Sequence, residues 1–576
     1  METRRELWSW AALAAVVALI CWLAVPAVSR DMSHWGRLVI AAMGVVLVGV
    51  RVLISWIKPV SKPPTPDQRG LLPPPPPKSR ALRGLHGVMV ALCTIGWFNY
   101  YQFDGRIFRG INDYTDITYY YLNSKYLDEL GFYGFYAAMI TADSEMNNRH
   151  NPHIRQYRDL RDDTLKPLSV ALEHGREIEA TQFTPEGWEA FRRDTNYFLS
   201  RISTPAFRDN FYVDHGYNPP PTWAIVGGPI SEAVPVRYLK AIACIDVVLV
   251  IGMFAGIAWG FGWEPMLWAM LFFVCTFSGR WPILGQALLR FDWLAALAVG
   301  MAALRKQRWG LAGGLLAYAA LNRVFPAIFL GAWLWAFVAD VWRERRIPRH
   351  HLRFAGAALA VVVVLGGAAF ARYGRTTFEE SAHNLAMHNR SFSSHRIGLG
   401  GLLVWDGDTT RAEIKAGGGM AAKEIAVQRM MPGLQVAGVL AIGLVAAAAV
   451  RSRRDAWETL PWLLLPFFVL TNPQANYYNL RIVAVILHSV HLGVQDDRAP
   501  GADRLFHRVG LALLLGIEVA AQWAFVSNWE RHGVNSLASV GMAIWCAMLM
   551  AWLVLQVARG WRPEQRTFPA PKPASA

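Results

Sequence analysis

Residues 240–261 read KAIACIDVVLVIGMFAGIAWGF, a stretch that rises about 33 Å as a helix. The hydrocarbon core of a bilayer is about 30 Å thick, so this stretch is long enough and apolar enough to cross it. Thirteen further apolar runs lie on either side, near residues 7–28, 37–57, 84–100, 265–278, 286–304, 309–323, 325–342, 353–371, 433–450, 457–471, 477–494, 508–527 and 534–557. The runs near 265 and 309 are short. The expected fold is an all-α polytopic membrane protein with about 14 (13–14) transmembrane helices. The first run exceeds a signal-peptide apolar segment of roughly 7–15 residues and reads as an uncleaved span.

Composition agrees. Of 576 residues, 54% are hydrophobic and 17% charged, against roughly one quarter charged in a soluble protein. Disorder, collagen and secreted disulfide scaffolds are excluded by the same figures. The five cysteines, Cys21, Cys93, Cys244, Cys275 and Cys546, sit in apolar stretches without a CxxC pair. Neither a disulfide framework nor a zinc site is indicated.

The net charge of +15, from 57 Lys and Arg against 42 Asp and Glu, would suggest nucleic acid in a soluble chain. Here it reads as topology, because short cytoplasmic loops collect Lys and Arg. Basic groups follow the second run (Lys58, Lys62, Arg69, Lys78, Arg80, Arg83), the sixth (Arg305, Lys306, Arg308) and the eighth (Arg343, Arg345, Arg346, Arg349, Arg353). Others follow the tenth (Arg451, Arg453, Arg454) and the last (Arg559, Arg562, Arg566). If every run crosses, all of these share one side. The expectation is a multi-pass protein of the bacterial cytoplasmic (inner) membrane with both termini inside and no nucleic-acid partner.

The chain then divides into two leading helices (1–57), a Pro-rich cytoplasmic linker (58–83), a core (84–371), a second outer loop (372–432), C-terminal helices (433–557) and a tail (558–576). The linker stretch Leu72–Pro77 suits polyproline II and reads as a spacer before an SH3-type ligand. Within the core, residues 101–239 form a large, mainly helical extracytoplasmic insert holding 19 of the 42 acidic residues. Thr184-Pro185 opens a helix running to about Ile202, with Thr as N-cap and Pro in the first turn. A second helix is expected from Ile117 to Leu130.

The insert begins with Gly110-Ile-Asn-Asp113-Tyr-Thr-Asp116-Ile-Thr-Tyr-Tyr-Tyr121. On a helix Asp113 and Asp116 share a face, where a partly desolvated carboxylate can act as a general base. Read locally, the pair fits better as N-cap and first-turn residues favoured by the helix dipole. The tyrosine-rich stretch is followed by a G-x-Y-G-x-Y turn, Gly131–Tyr136. Further on come Gly216-Tyr217-Asn218-Pro219-Pro220-Pro221-Thr222-Trp223, the pair Gly285-Gln286, the stretch Gly310–Ala320 and Asn322-Arg323-Val324-Phe325-Pro326.

In this order the segments resemble the GT-C-fold glycosyltransferases over roughly residues 84–345. Among these they look most like glycosyltransferase family 87, which includes polyprenyl-phosphate-mannose-dependent mannosyltransferases. The chain departs from that pattern in lacking an Asn after Gly285-Gln286, in carrying Arg323 as the basic residue before Pro326, and in its long insert and two leading helices. The resemblance implies a GT-C-like fold and transfer of a sugar from a polyprenyl-phosphate donor to a lipid-linked or cell-envelope acceptor. It assigns the general base to Asp116, with Asp113 in reserve, and adds Gln286 to the donor site. No cofactor beyond the lipid-linked donor is expected.

A leaving phosphate needs cationic donors, which guanidinium supplies in a matching fork. Arg280, Arg290, Arg323 and Arg481 all map to outer ends of runs, where snorkelling to headgroups competes with a functional role. Arg290 has Asp292 two residues on, so a structural ion pair would explain both. In the second outer loop His383, His388, Arg390 and His395 suit a lid over phosphate or sugar, or plain solvated polarity. The histidine spacing does not suit zinc, and no metal site is expected. Asp406-Gly407-Asp408 reads as a turn, and Asn472–Tyr478 as a short outer turn that lines the same cleft. No P-loop, GxSxG or HExxH motif competes. The rival classes are a polar-lipid transporter or flippase, against which stands the lack of an internal repeat, and a non-catalytic assembly subunit.

Overall fold

The computed structural model describes residues 2–57, 79–104, 114–202, 211–279, 287–390, 392–492 and 501–559. Asp113, Arg280, Gln286, the Pro-rich linker and the C-terminal tail lie outside the described residues, as does the side chain of Arg390. About 80% of the chain is helical, as an all-α membrane protein requires.

Among the described residues, eight helices are long and apolar enough to cross a membrane. They are Arg30–Ile57, Arg80–Tyr100, Val236–Phe261, Phe325–Glu344, Arg349–Asn389, Gly419–Ser452, Gly501–Val526 and Arg531–Arg559. The remaining apolar runs overlap helices that are shorter, interrupted or less extensively apolar. Trp263–Cys275, Asp292–Arg305, Trp309–Arg323 and Ile482–His491 have 13, 14, 15 and 10 residues. At 1.5 Å per residue they rise about 15–23 Å, short of a hydrocarbon core. Several of their ends carry buried polar side chains, Asp292, Arg305, Arg323 and Arg481 among them.

The expected second outer loop is partly helical. The helix Gly367–Arg390 bends at Gly374, whose φ of 72° suits glycine, and Gly419 already opens the next long helix.

Two large hydrophobic cores organise the described residues. The bundle core is largely aliphatic, with Leu271, Leu294, Leu297, Leu464, Ile482, Leu511 and Leu549 fully buried. The insert has its own aromatic core, built from Tyr119, Tyr121, Phe135, Tyr136, Phe191, Phe198 and Phe211. Its helix Pro185–Leu199 starts as expected, with the Thr184 hydroxyl accepting from the Gly187 N–H at 3.1 Å. The Ile117–Leu130 region differs from a regular helix. Tyr114–Ile117 leads into a wide π-helical turn, Thr118–Asn123, before the short helix Leu127–Leu130. Thr118 and Ser124 donate their hydroxyls to the carbonyls of Tyr114 and Tyr120, four residues back, and such side-chain competition bends a helix.

A small antiparallel hairpin, Gln156–Asp159 with Thr164–Pro167, decorates the insert. Gly175 lets two insert helices touch, because a Cβ there would meet the Ala137 carbonyl oxygen at 2.4 Å.

The insert is tied to the helix Gly367–Arg390. Arg372 bridges Asp128 at 2.8 Å and Glu232 at 2.7 Å, and the Phe132 N–H donates to Glu380 at 3.3 Å. Leu288 and Leu289 belong to the insert's core rather than the bundle's. That placement carries the next residue, Arg290, to the insert.

Candidate functional site

Asp116 lies on the short helix Tyr114–Ile117 and Tyr120 on the wide turn that follows it, about one helical turn apart. Arg290 precedes the short helix Asp292–Arg305, and Arg323 ends the short helix Trp309–Arg323. Both arginines adjoin a residue with positive φ, Leu289 at 51° and Val324 at 55°. For a β-branched valine this conformation is costly, and such strain concentrates where side-chain placement is constrained by function.

The two guanidiniums, 7% and 6% exposed, converge on one phenol. Arg290 Nη1 donates to the Tyr120 hydroxyl, and Arg323 Nη2 donates to it at 3.4 Å. Their carbons lie 5.0 and 5.3 Å from the Tyr120 ring centroid, and Trp223 packs edge-on against the same ring at 5.1 Å. Burial pushes the Tyr120 hydroxyl up to about 12 despite the two cations that pull it down. The phenol stays protonated.

Arg290 Nη2 lies 3.5 Å from Asp116 Oδ2, and the Asp116 side chain is 28% exposed. Asp292 takes other partners, accepting from Tyr318 Oη at 3.0 Å, Asn322 Nδ2 at 2.9 Å and the Trp293 N–H at 2.6 Å. Asp292 thus fixes the end of the helix that presents Arg323. The carboxylate in ion-pair contact with Arg290 is Asp116, which neighbours in sequence do not suggest.

Asp246 was not singled out from the sequence, although it lies in the 240–261 stretch. It is fully buried, and its Oδ1 accepts from the Phe291 N–H at 3.0 Å, bracing the turn that carries Arg290. A lone acid inside an otherwise apolar span, whose other charge is Lys240 at its start, is the signal that marks it. Among the described residues, Asp246 Oδ2, Arg290 Nε, Arg323 Nε and Asn322 Oδ1 are buried without a hydrogen-bond partner. This is spare polar capacity around the two cations.

Tyr477, from the Asn472–Tyr478 turn, packs beside the residues that follow the two arginines, with its ring 5.9 Å from Trp293 and 4.9 Å from Phe325. Four residues past Arg323 an apolar cavity of about 300 Å³ begins, lined by Ala327, Ile328, Gly331, Leu334, Ile442 and Leu463.

The other expected residues lie elsewhere. Arg481 is buried in the bundle, where its Nη2 pairs with Glu518 and its Nε donates to the Tyr478 carbonyl at 3.0 Å. Glu518 also accepts from the Phe277 N–H at 2.6 Å. His388 packs its ring 4.9 Å from His215, which in turn contacts Asp163 at 2.8 Å. His383 is exposed, His395 half-buried, and Arg390 ends its helix. Among the described residues, Asp116, Arg290 and Arg323 are the expected ones that come together. Comparison with family models, curated proteins and solved structures found no match to this chain.

Proposed function

We propose that this chain is an integral membrane glycosyltransferase of GT-C architecture. It transfers a sugar from a polyprenyl-phosphate donor to a lipid-linked or cell-envelope acceptor on the extracytoplasmic face. The observation that carries this reading is the convergence of two buried guanidiniums, Arg290 and Arg323, beside a partly exposed carboxylate, Asp116.

In this reaction the acceptor oxygen attacks the anomeric carbon while the bond from that carbon to the phosphate oxygen breaks. The acceptor proton passes to Asp116, and the phosphate leaves with the bonding electron pair. Arg290 and Arg323 neutralise the charge that builds on it. Water exclusion by Trp223 and Tyr120 strengthens that interaction. Donor binding displaces part of the Arg290–Asp116 contact and frees the carboxylate to accept a proton. The apolar cavity beyond Arg323 suits the isoprenoid chain.

Asp116→Asn removes the base and keeps the shape. Membranes carrying it are expected to transfer labelled sugar from polyprenyl phosphate to lipid acceptors roughly 10²–10⁴-fold more slowly, with expression and topology unchanged. Transfer at the wild-type rate removes Asp116 from the mechanism.

A further inference from the structure

At the far end of the helix Gly331–Glu344, about 20 Å along its axis from the segment that carries Arg323, three metal-ligating side chains meet. Asp340 lies near the end of that helix, and His350 and His351 open the next, Arg349–Val361. His351 Nε2 is 3.1 Å from Asp340 Oδ2, and His350 Nε2 is 3.7 Å from the same oxygen. One ligand atom from each of the three residues lies within 4.8 Å of the others. A tetrahedral zinc with ligands at about 2.0 Å holds them about 3.3 Å apart, close to these spacings.

The rings are held in place. Trp309 packs 4.5 Å from His350 and 5.5 Å from His351, and Phe337 packs 5.4 Å from His351. The helices Trp309–Arg323 and Arg349–Val361 are jammed together at Gly313, where a Cβ would meet the Phe354 carbonyl oxygen at 2.2 Å. His351 is fully buried, and its Nδ1 has no hydrogen-bond partner among the described residues. Its polar capacity is directed through Nε2 at Asp340. His350, with 33% of its side chain exposed, leaves a path for an ion and for a water as fourth ligand.

We propose that Asp340, His350 and His351 form a binding site for a zinc-class divalent cation that clamps this helical corner. Two imidazoles and one carboxylate suit zinc, and the hard-ion alternatives, calcium and magnesium, prefer all-oxygen sets. Arg343, 3.9 Å from Asp340 Oδ1, approaches the other carboxylate oxygen and leaves Oδ2 to the metal. The arginines at 345, 346 and 349 are exposed, so solvent screens their repulsion. The site stands independently of the glycosyltransferase reading.

The test uses the full chain, purified in detergent and stripped with chelator, then dialysed against Zn²⁺ with metal analysis and thermal unfolding as readouts. One equivalent bound per chain and a raised Tm are expected in the wild type. His350→Gln, at a partly exposed position that spares the fold, should weaken binding at least about ten-fold, as should Asp340→Asn. Cobalt substitution should give d–d bands without a thiolate charge-transfer band. A wild type that binds no zinc, variants that bind it equally well, or a thiolate band would each overturn the proposal.

Discussion

Two of the buried guanidinium sites among the described residues, Arg481 and the pair Arg290 and Arg323, are built to opposite ends. Arg481 meets Glu518 inside the bundle, with 2% and 0% of the two side chains exposed, and the same carboxylate also caps a backbone N–H. Each charge there has an opposite charge at contact distance. Arg290 and Arg323 instead share a neutral phenol, and the carboxylate beside Arg290 stands at 3.5 Å and is partly exposed. The Nε–H groups of Arg290 and Arg323 are buried without a hydrogen-bond partner among the described residues, so this pair keeps donor capacity at Nε that Arg481 has used on the Tyr478 carbonyl. The first site holds the bundle together, and the second is the one we propose receives the donor phosphate.

This contrast can be broken by experiment. Asp116→Asn, with its expected 10²–10⁴-fold loss of transfer, is the largest effect and should leave thermal unfolding unchanged. Arg481→Met should do the reverse. Stranding Glu518 costs about 3–5 kcal/mol, seen as a lowered Tm, and the double change Arg481→Met with Glu518→Met should recover most of it. If Arg481→Met abolished transfer without lowering the Tm, the division between the two sites would collapse.

Arg290→Lys and Arg323→Lys keep the charge but lose the fork. Each is expected to lower kcat/KM for the lipid donor by roughly 10- to 100-fold, corresponding to one charged hydrogen bond of about 1.5–3 kcal/mol. Donor titrations in membranes check this.

The smallest effect lies in the insert. Burial alone would raise the Asp159 carboxyl, but hydrogen bonds from Arg161 and Lys166 hold it well below the usual range. A depressed folded-state pKa stabilises above the unfolded value of about 4 and is lost as pH falls through the folded one. The Tm gap between wild type and Asp159→Asn should therefore be wider at pH 7 than at pH 3. An equal gap would show that the hairpin does not depend on this charge.

The helices were legible wherever one physical rule dominated. Long apolar runs such as 240–261 form single helices because lipid leaves the backbone no other way to satisfy its hydrogen bonds. The start at Thr184-Pro185 was legible because capping is local. The wide turn at Thr118–Asn123 was not, since it follows from hydroxyls bonding back to the chain rather than from apolar spacing. Short helices such as Asp292–Arg305 were likewise hidden, because an apolar run does not show where its helix breaks.

For the candidate site, the sequence alone determined the residue types: a carboxylate opening an acid-rich insert, and arginines at positions where a bare charge is costly. It left open which arginine would serve. Only the tertiary structure turned Arg481 inward to Glu518, drew Asp292 to Tyr318 and Asn322, and brought Arg290 and Arg323 to Tyr120 from 170 and 203 residues away in the chain. Composition and spacing act along the chain, whereas charge pairing is decided by proximity in space, and that is set by how the insert's aromatic core packs against the ends of short helices.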